Sequence, residues 1–446
     1  METQPSPNIE QILSPYHIAV QESKKTKSPK EIGNHLVNLG IVQFSLQDFK
    51  NGMDSFDQAI QIARDDHDTE AEAVFLGKKG LTVWEVKQFP NAMECFNDVL
   101  KIAEENKYSA LQCDALGNIG MLMLDTGDPS QSVMRLKEAL SIADTIGDKH
   151  RQIIYWGGLG NAYLEVSNIE HAVQCFNEAL ELSREVGDRQ AEAGYLNNLG
   201  IIYTQQNDPN KSIRYFEQGL RLVKESGDLD AELNVISLLI QAYQKQNQID
   251  IVVQLLDRAI ELTENVEKRE DRNEFLEELI PILLFKTKNQ EAVSAINKLL
   301  PDLEDEVHNQ KRLHYLISLG QAHLELEALE QAIKIYEKAF DLSVRTADEK
   351  SEALILGRLA TIQAELGNYE VSNDIINKSL TIAKKFNNHI LLSELHCIQA
   401  MNFRDLNQKP AAIEAINNAI SILDKKQDAK SYSLAVELMA EIKSIA

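Results

Sequence analysis

The sequence predicts an all-α superhelical solenoid of about ten antiparallel helix pairs closed by a capping helix. Three observations predict it. A glycine recurs every 40 residues, at Gly40, Gly80, Gly120, Gly160, Gly200 and Gly320, with Ile240, Ile280, Ala360 and Ala400 in the same phase. Sixteen residues after that anchor all ten units carry a large apolar residue: Phe56, Phe96, Leu136, Phe176, Phe216, Leu256, Ile296, Tyr336, Ile376 and Ile416. Nineteen residues after it the residues are mostly small, as at Ala59, Ala139, Ala179, Gly219, Ala259, Ala339, Ser379 and Ala419. Self-similarity at a fixed period of this length marks units that cannot bury their apolar faces alone and do so by stacking.

Residues 1–28 form an N-terminal arm or cap, with Ile9, Ile12, Leu13 and Tyr16 on an apolar stretch that Pro15 interrupts. Ser28-Pro29-Lys30-Glu31 has the form of a capping box and opens the first unit. Each unit reads as two helices of about 14–17 residues, because apolar residues fall at i, i+3, i+4 and i+7 on both sides of a short polar break. Asp128-Pro129 and Asp208-Pro209 place a capping carboxylate before a proline at the first helical position, and Pro90 and Pro410 lie within one residue of that phase. Gly147, Gly187 and Gly227 end second helices at one phase, where a left-handed residue is needed. Gly77, Gly117, Gly157 and Gly357 stand three residues before the anchor, a helix-interior position where glycine costs about 1 kcal/mol relative to alanine, so a neighbouring helix is expected to pack close there. Pro281 falls inside the first helix of the seventh unit and Pro301 at the end of its second, which predicts a bend at 275–310. Ten units fill residues 29–430. Residues 431–446, with Ala435, Leu438, Met439, Ile442 and Ile445 on one face, form a C-terminal capping helix.

Gly160, Tyr163, Ala172, Phe176 and Ala179 in the fourth unit, with Gly200, Tyr203, Phe216 and Gly219 in the fifth, resemble the tetratricopeptide repeat (TPR) family, with a unit longer than its usual length of about 34 residues. The 40-residue unit, with Leu159 to Tyr163 and Gly187-Asp188-Arg189, is similar to Pins and LGN-class scaffolds and to bacterial TPR arrays. The resemblance implies a right-handed superhelix whose first helices line a concave groove for a peptide or a partner protein. By phase, the groove residues are Asn38, Asn118, Asn161, Asn197, Asn198, Asn234 and Gln241, together with Glu85, Asp125, Glu165, Gln205 and Lys245. Asparagine amides both donate and accept, so a row of them suits a peptide backbone. Glu85, Asp125 and Glu165 share one phase and favour a partner with basic residues. The carboxylate clamp that some TPR modules use for chaperone tails has no matching triple here, since the phase that needs its first lysine holds Val37, Gly77, Gly117, Gly157 and Asn197.

The chain has 446 residues, with 69 acidic against 45 basic side chains and a formal charge of −24. That balance argues against nucleic acid, whose affinity rests on neutralised phosphates. No stretch approaches the roughly 18 apolar residues of a membrane span and the start lacks a secretory pattern, so a cytoplasmic protein with no membrane insertion is expected. Cys95, Cys113, Cys175 and Cys397 are isolated and read as buried thiols; the ten histidines show no ligand spacing, so neither metal nor cofactor is expected. No nucleophile sits on an exposing elbow and no glycine-rich loop could cradle phosphate, which argues against an enzyme. The leading reading is a non-enzymatic scaffold that binds a peptide segment or partner protein in its groove. The alternative is a peptide-responsive sensor similar to the Rap-type proteins, acting on a separate effector chain.

Overall fold

The computed structural model describes residues 9–26, 28–265, 268–424 and 427–444, which contain 22 α-helices and no strand. They form two compact units, residues 1–248 and 249–446. In the first unit α1 (Ile9–Thr26) precedes five complete helix pairs: α2 (Pro29–Ser45) with α3 (Phe49–Asp65), α4 (Thr69–Glu85) with α5 (Phe89–Asn106), α6 (Ser109–Asp125) with α7 (Pro129–Ile146), α8 (Lys149–Glu165) with α9 (Ile169–Val186), and α10 (Arg189–Gln205) with α11 (Pro209–Ser226). α12 (Leu229–Lys245) completes it. In the second unit α13 (Ile249–Asn265) precedes α14 (Arg269–Phe285), α15 (Asn289–Leu299), α16 (Asn309–Glu325), α17 (Leu329–Arg345), α18 (Glu349–Glu365), α19 (Tyr369–Ala383), α20 (His389–Asp405), α21 (Lys409–Ile422) and the final α22 (Ala429–Ser444).

The period is a packing rule. At each anchor glycine the second helix of the same pair brings its large apolar residue against the first-helix backbone. A Cβ on Gly160 would lie 2.6 Å from the Phe176 ring, and one on Gly200 would lie 2.4 Å from the Phe216 ring. Both rings are fully buried, so a methyl group there has no room that a rotamer change could open. The small residues nineteen positions after the anchor, Ala59, Ala139 and Ala179 among them, are equally buried and let neighbouring helices approach.

The caps follow the sequence with one exception. Asp128 and Asp208 accept from the backbone N–H groups of Gln131 and Lys211, and Gly147, Gly187 and Gly227 are left-handed at φ 68°, 76° and 73°. Ser28 starts α2 before Pro29, but its side chain makes no capping bond, so the expected capping box is not formed there. The first-to-second turns hold a left-handed residue at one register in every unit: Gln47, Lys87, Gly127, Ser167, Asn207, Asn247, Thr287, Glu327, Gly367 and Asn407.

The two helix-interior prolines do not break their helices. Pro15 lies inside α1 and Pro281 inside α14, both exposed, where the ring projects to solvent and only one backbone bond is lost. α1 packs on α2, with Leu13 and Tyr16 against the core and Val20 buried. Pro301 does end a regular helix: α15 is only 11 residues long and gives way to 3-10 turns at Leu300–Leu303 and Glu306–His308. α22 packs on α21 and α20, with Ala435 and Ile442 buried and Leu438 and Met439 packed beside them; Ile445 lies outside the described residues. Cys95, Cys113 and Cys175 are buried and Cys397 half-buried. Burial pushes the thiols of Cys95 and Cys175 up to about 11.

Candidate functional site: the first-helix face

α4, α6, α8 and α10 are each flanked by two second helices, and first helices touch one another, α2 with α4, α4 with α6, α6 with α8 and α10 with α12. One stripe of each is left to solvent. On α10 it runs through Gln190, Gly194, Ile201 and Gln205, with Asn197 and Asn198 half-buried at its edge; on α8 it runs through His150, Ile154, Asn161 and Glu165. A spacing of three to four residues keeps such positions on one side of a helix.

The residues singled out from sequence fall on this stripe. Asn38, Glu85, Asp125, Asn161, Glu165, Gln205, Asn234, Gln241 and Lys245 are exposed; Asn118, Asn197 and Asn198 are half-buried. Glu85, Asp125 and Glu165 are the last residues of α4, α6 and α8, as Gln205 and Lys245 are of α10 and α12. A carboxylate at a helix C-terminus faces the negative end of the helix dipole, so helix stability is no reason for these three acids. Asp125 has a structural partner: the Trp84 indole N–H of α4 donates to its Oδ2 at 2.8 Å, tying one unit to the next. Asn197 departs from the row of solvent-facing amides, because its Oδ1 is buried without a hydrogen-bond partner and sits 2.5 Å from where a Cβ on Gly219 would be.

Sequence reasoning passed over an apolar row in the same stripe. Directly after the anchor stand Ile41, Leu81, Met121 and Ile201, and Ile154 lies on the same side of α8. Leu81 is 43% exposed and Ile154 49%. The 40-residue recurrence of large apolar side chains at one phase was the available signal, and it blends into the core periodicity of the helices. Solvent-facing apolar side chains in register, rimmed by Glu85, Asp125 and Glu165, differ from singly scattered ones, which need no explanation.

Next to the stripe, α8 and α6 are joined by side-chain bonds. Arg151 of α8 donates two parallel bonds to Asp114 of α6, Nε to Oδ1 at 2.7 Å and Nη2 to Oδ2 at 2.8 Å, and also reaches Asp148. This forked pairing with Asp114 raises the affinity of Arg151 for its proton. Tyr155 lies beneath it, its hydroxyl donating to the Cys113 carbonyl at 3.1 Å, and burial raises its pKa. The glycines three before the anchor explain the close approach: a Cβ on Gly117 would lie 2.2 Å from the Tyr155 ring and one on Gly157 would lie 2.5 Å from the Tyr195 hydroxyl. Gly77 is the exception, its nearest neighbour being Val99 at an ordinary 3.9 Å.

Among the described residues no group of three or more His, Cys, Asp or Glu is placed to hold a metal ion, and no helix is long and apolar enough to cross a membrane.

Tetratricopeptide repeat models match residues 111–185, 151–225 and 313–343, and a model described as anaphase-promoting complex subunit 5 matches residues 15–76 and 393–445. No curated protein matches the chain in sequence. Among solved structures the chain is similar to a Signal Transduction ATPase with Numerous Domains protein with a tetratricopeptide repeat sensor from Pyrococcus horikoshii, at 13% identity and a TM-score of 0.49, covering 79% of this chain and 56% of that one. It is also similar to the apo form of the quorum sensor NprR from B. thuringiensis, at 14% identity and a TM-score of 0.42, covering 75% and 99%. A Rap protein complexed with Competence and Sporulation Factor is 15% identical at a TM-score of 0.39, covering 76% and 98%. The repeat models fall on units whose anchor glycines are seated against Phe176, Phe216 and Tyr336 in one register, and together these findings support a tetratricopeptide repeat protein.

Proposed function

We propose that this protein is a non-enzymatic interaction scaffold whose first-helix face in residues 1–248 holds a segment of a partner protein, and that the segment is an amphipathic helix with an apolar stripe and a basic flank. The repeat family supports a protein-interaction scaffold or sensor at the coarser level. The observation that carries the finer reading is the row Ile41, Leu81 and Ile201, open to water, with the half-buried Met121 in the same phase, in register with Glu85, Asp125 and Glu165. A helix laid in a groove offers apolar anchors every three to four residues, which suits such a row. Its Lys and Arg side chains would meet the three carboxylates, which steer encounter and fix orientation more than they add affinity. Asn38, Asn118, Asn161 and Asn198 supply amides at the borders of the row, and Lys78 is the cation at the phase of Asn38 within residues 1–248.

The test uses the full chain and a 14-residue amphipathic Leu/Lys helical peptide, with a Leu/Glu peptide of the same pattern as control. The basic peptide should bind, with affinity falling as salt shortens the Debye length from about 10 Å at 0.1 M. Leu81→Arg with Ile201→Arg should abolish binding while leaving the circular dichroism spectrum unchanged. Equal binding of the acidic peptide, or indifference to the double substitution, would remove the basis of the reading.

A further inference from the structure

In residues 1–248 one arginine ties three helices together. Arg184 of α9 donates from Nε to Glu192 of α10 at 2.8 Å, from Nη1 to Glu181 of its own helix at 3.4 Å and from Nη2 to the Gln218 amide oxygen of α11 at 3.4 Å. Arg64 of α3 makes the first of these bonds at the same register, its Nε lying 2.6 Å from Glu72 of α4. Between the same two helices, Lys79 of α4 donates to Asp57 of α3 at 2.7 Å.

The register recurs at α17, α18 and α19 with the acids kept and the cations gone. Asp341 and Glu352 stand where Glu181 and Glu192 stood and Glu337 where Asp57 stood, but the phases of Arg184 and Lys79 hold Val344 and Leu359. Among the described residues none of the three carboxylates has an ion-pair partner. A groove of about 710 Å³ opens here, and the register equivalents of all three Arg184 partners line it: Asp341, Glu352 and Lys378. Its size falls in the range of about 300–1,000 Å³ typical of ligand sites. The apolar part of the lining is Phe340, Leu359 and Ile382, half-buried, with Leu356 buried beneath. Val344 is 51% exposed and so leaves the place of an arginine side chain unfilled. Arg345, the next residue, donates from Nε to the Asp341 backbone carbonyl at 3.3 Å, not to a carboxylate. With Glu337 the groove carries three carboxylates against the single ammonium of Lys378.

We infer that this groove takes an arginine side chain of a partner protein, its guanidinium bridging Asp341 and Glu352 as Arg184 bridges Glu181 and Glu192, and its methylene stem lying on the apolar lining. A planar guanidinium fork reaches two carboxylates at once, which the compact ammonium of a lysine does less well. A neutral side chain of the same shape would gain the burial of its stem alone. The site lies within residues 249–446 and does not depend on the first-helix groove proposed for residues 1–248.

The probes are N-acetyl-argininamide, its neutral isostere N-acetyl-citrullinamide and N-acetyl-lysinamide, titrated into the full chain and followed by saturation-transfer NMR. Argininamide should bind about three- to tenfold more tightly than citrullinamide, the range of a partly exposed charge pair, and the difference should shrink as salt rises. Lysinamide should fall between them. Val344→Arg rebuilds the arrangement seen at Arg184 and should abolish argininamide binding with helicity kept, whereas Val344→Leu should leave it unchanged. Asp341→Asn with Glu352→Gln should bring argininamide and citrullinamide to the same affinity. Lys378→Gln restores the residue type of Gln218, removes the opposing charge and should tighten argininamide binding about two- to threefold. Attraction of cations by the acidic surface at large would survive Val344→Arg. That survival, the absence of saturation transfer to argininamide, citrullinamide binding as well as argininamide, or lysinamide binding more tightly than argininamide would each overturn the assignment.

Discussion

Gly157→Ala tests whether the glycines three before the anchor exist for close packing. The new methyl group would lie 2.5 Å from the Tyr195 hydroxyl oxygen, 2.7 Å from Cε1 and 3.0 Å from Cζ. The ring cannot simply retreat, because its hydroxyl is held by the Ile153 carbonyl at 2.9 Å and its face stands 6.2 Å, centroid to centroid, from the buried Phe176. Overpacking of this kind costs about 1–3 kcal/mol, and the gain in helix propensity from glycine to alanine offsets about 1 kcal/mol of it. The net effect in the natural background is a loss of up to about 2 kcal/mol. Tyr195→Val alone removes a large half-buried ring and one hydrogen bond, a loss of about 3 kcal/mol. In that background the methyl group meets no ring, so Gly157→Ala should stabilise by about 1 kcal/mol. The sign reversal gives a coupling of about 1–3 kcal/mol in a double-mutant cycle. Stacked repeats need not unfold in one step, so urea midpoints should be accompanied by amide exchange in α8 to α10. Stabilisation by the same amount in both backgrounds would refute the packing argument.

Three further outcomes are expected. Thr287 is β-branched at φ 55°, so Thr287→Gly should raise stability by about 1 kcal/mol in urea unfolding, and a loss would mean its hydroxyl bond to the Lys286 carbonyl matters more than backbone strain. Burial holds the His396 pKa below its ordinary value of 6.5, so the stability it contributes is present above about pH 6.5 and is lost as pH falls through the lowered value; His396→Gln should remove that part of the acid destabilisation between pH 7.5 and 5, and an unchanged difference between the two proteins would contradict it. We propose that the array bends at 275–310: Pro281→Ala should restore the α14 hydrogen bond, stabilise by about 1–3 kcal/mol, and change the distance between spin labels on α13 and α17, whereas an identical distance distribution would leave the proline without that role.

What the sequence revealed was what packing writes at a fixed interval. Gly160 and Gly200 opposite Phe176 and Phe216 are visible forty residues apart because the same contact recurs, and Asp128 and Asp208 because a capped proline has few other uses. The left-handed turns were harder to read, since Lys87, Ser167 and Thr287 hold that conformation through local backbone bonds that close the helix end, and only the glycines Gly127 and Gly367 and the asparagines Asn207, Asn247 and Asn407 announce it. Pro15 and Pro281 looked like interruptions because sequence does not tell which way a ring points; both face solvent. On the candidate face the phases were legible and the direction of individual side chains was not. Asn197 stands where the stripe meets the helix interface, and its buried amide oxygen is decided by a glycine on another helix, Gly219. Ile41, Leu81 and Ile201 were hidden by the rule that apolar residues at helical spacing belong to the core.

The central claim is that partners are held on the first-helix face of residues 1–248. Hydrogen exchange of the full chain, with and without a peptide selected from a display library for binding to it, tests this most directly. The account predicts slowed exchange along α4, α6, α8 and α10, with α5, α7 and α9 unchanged. Protection confined to the second helices, or to residues 249–446, would contradict it.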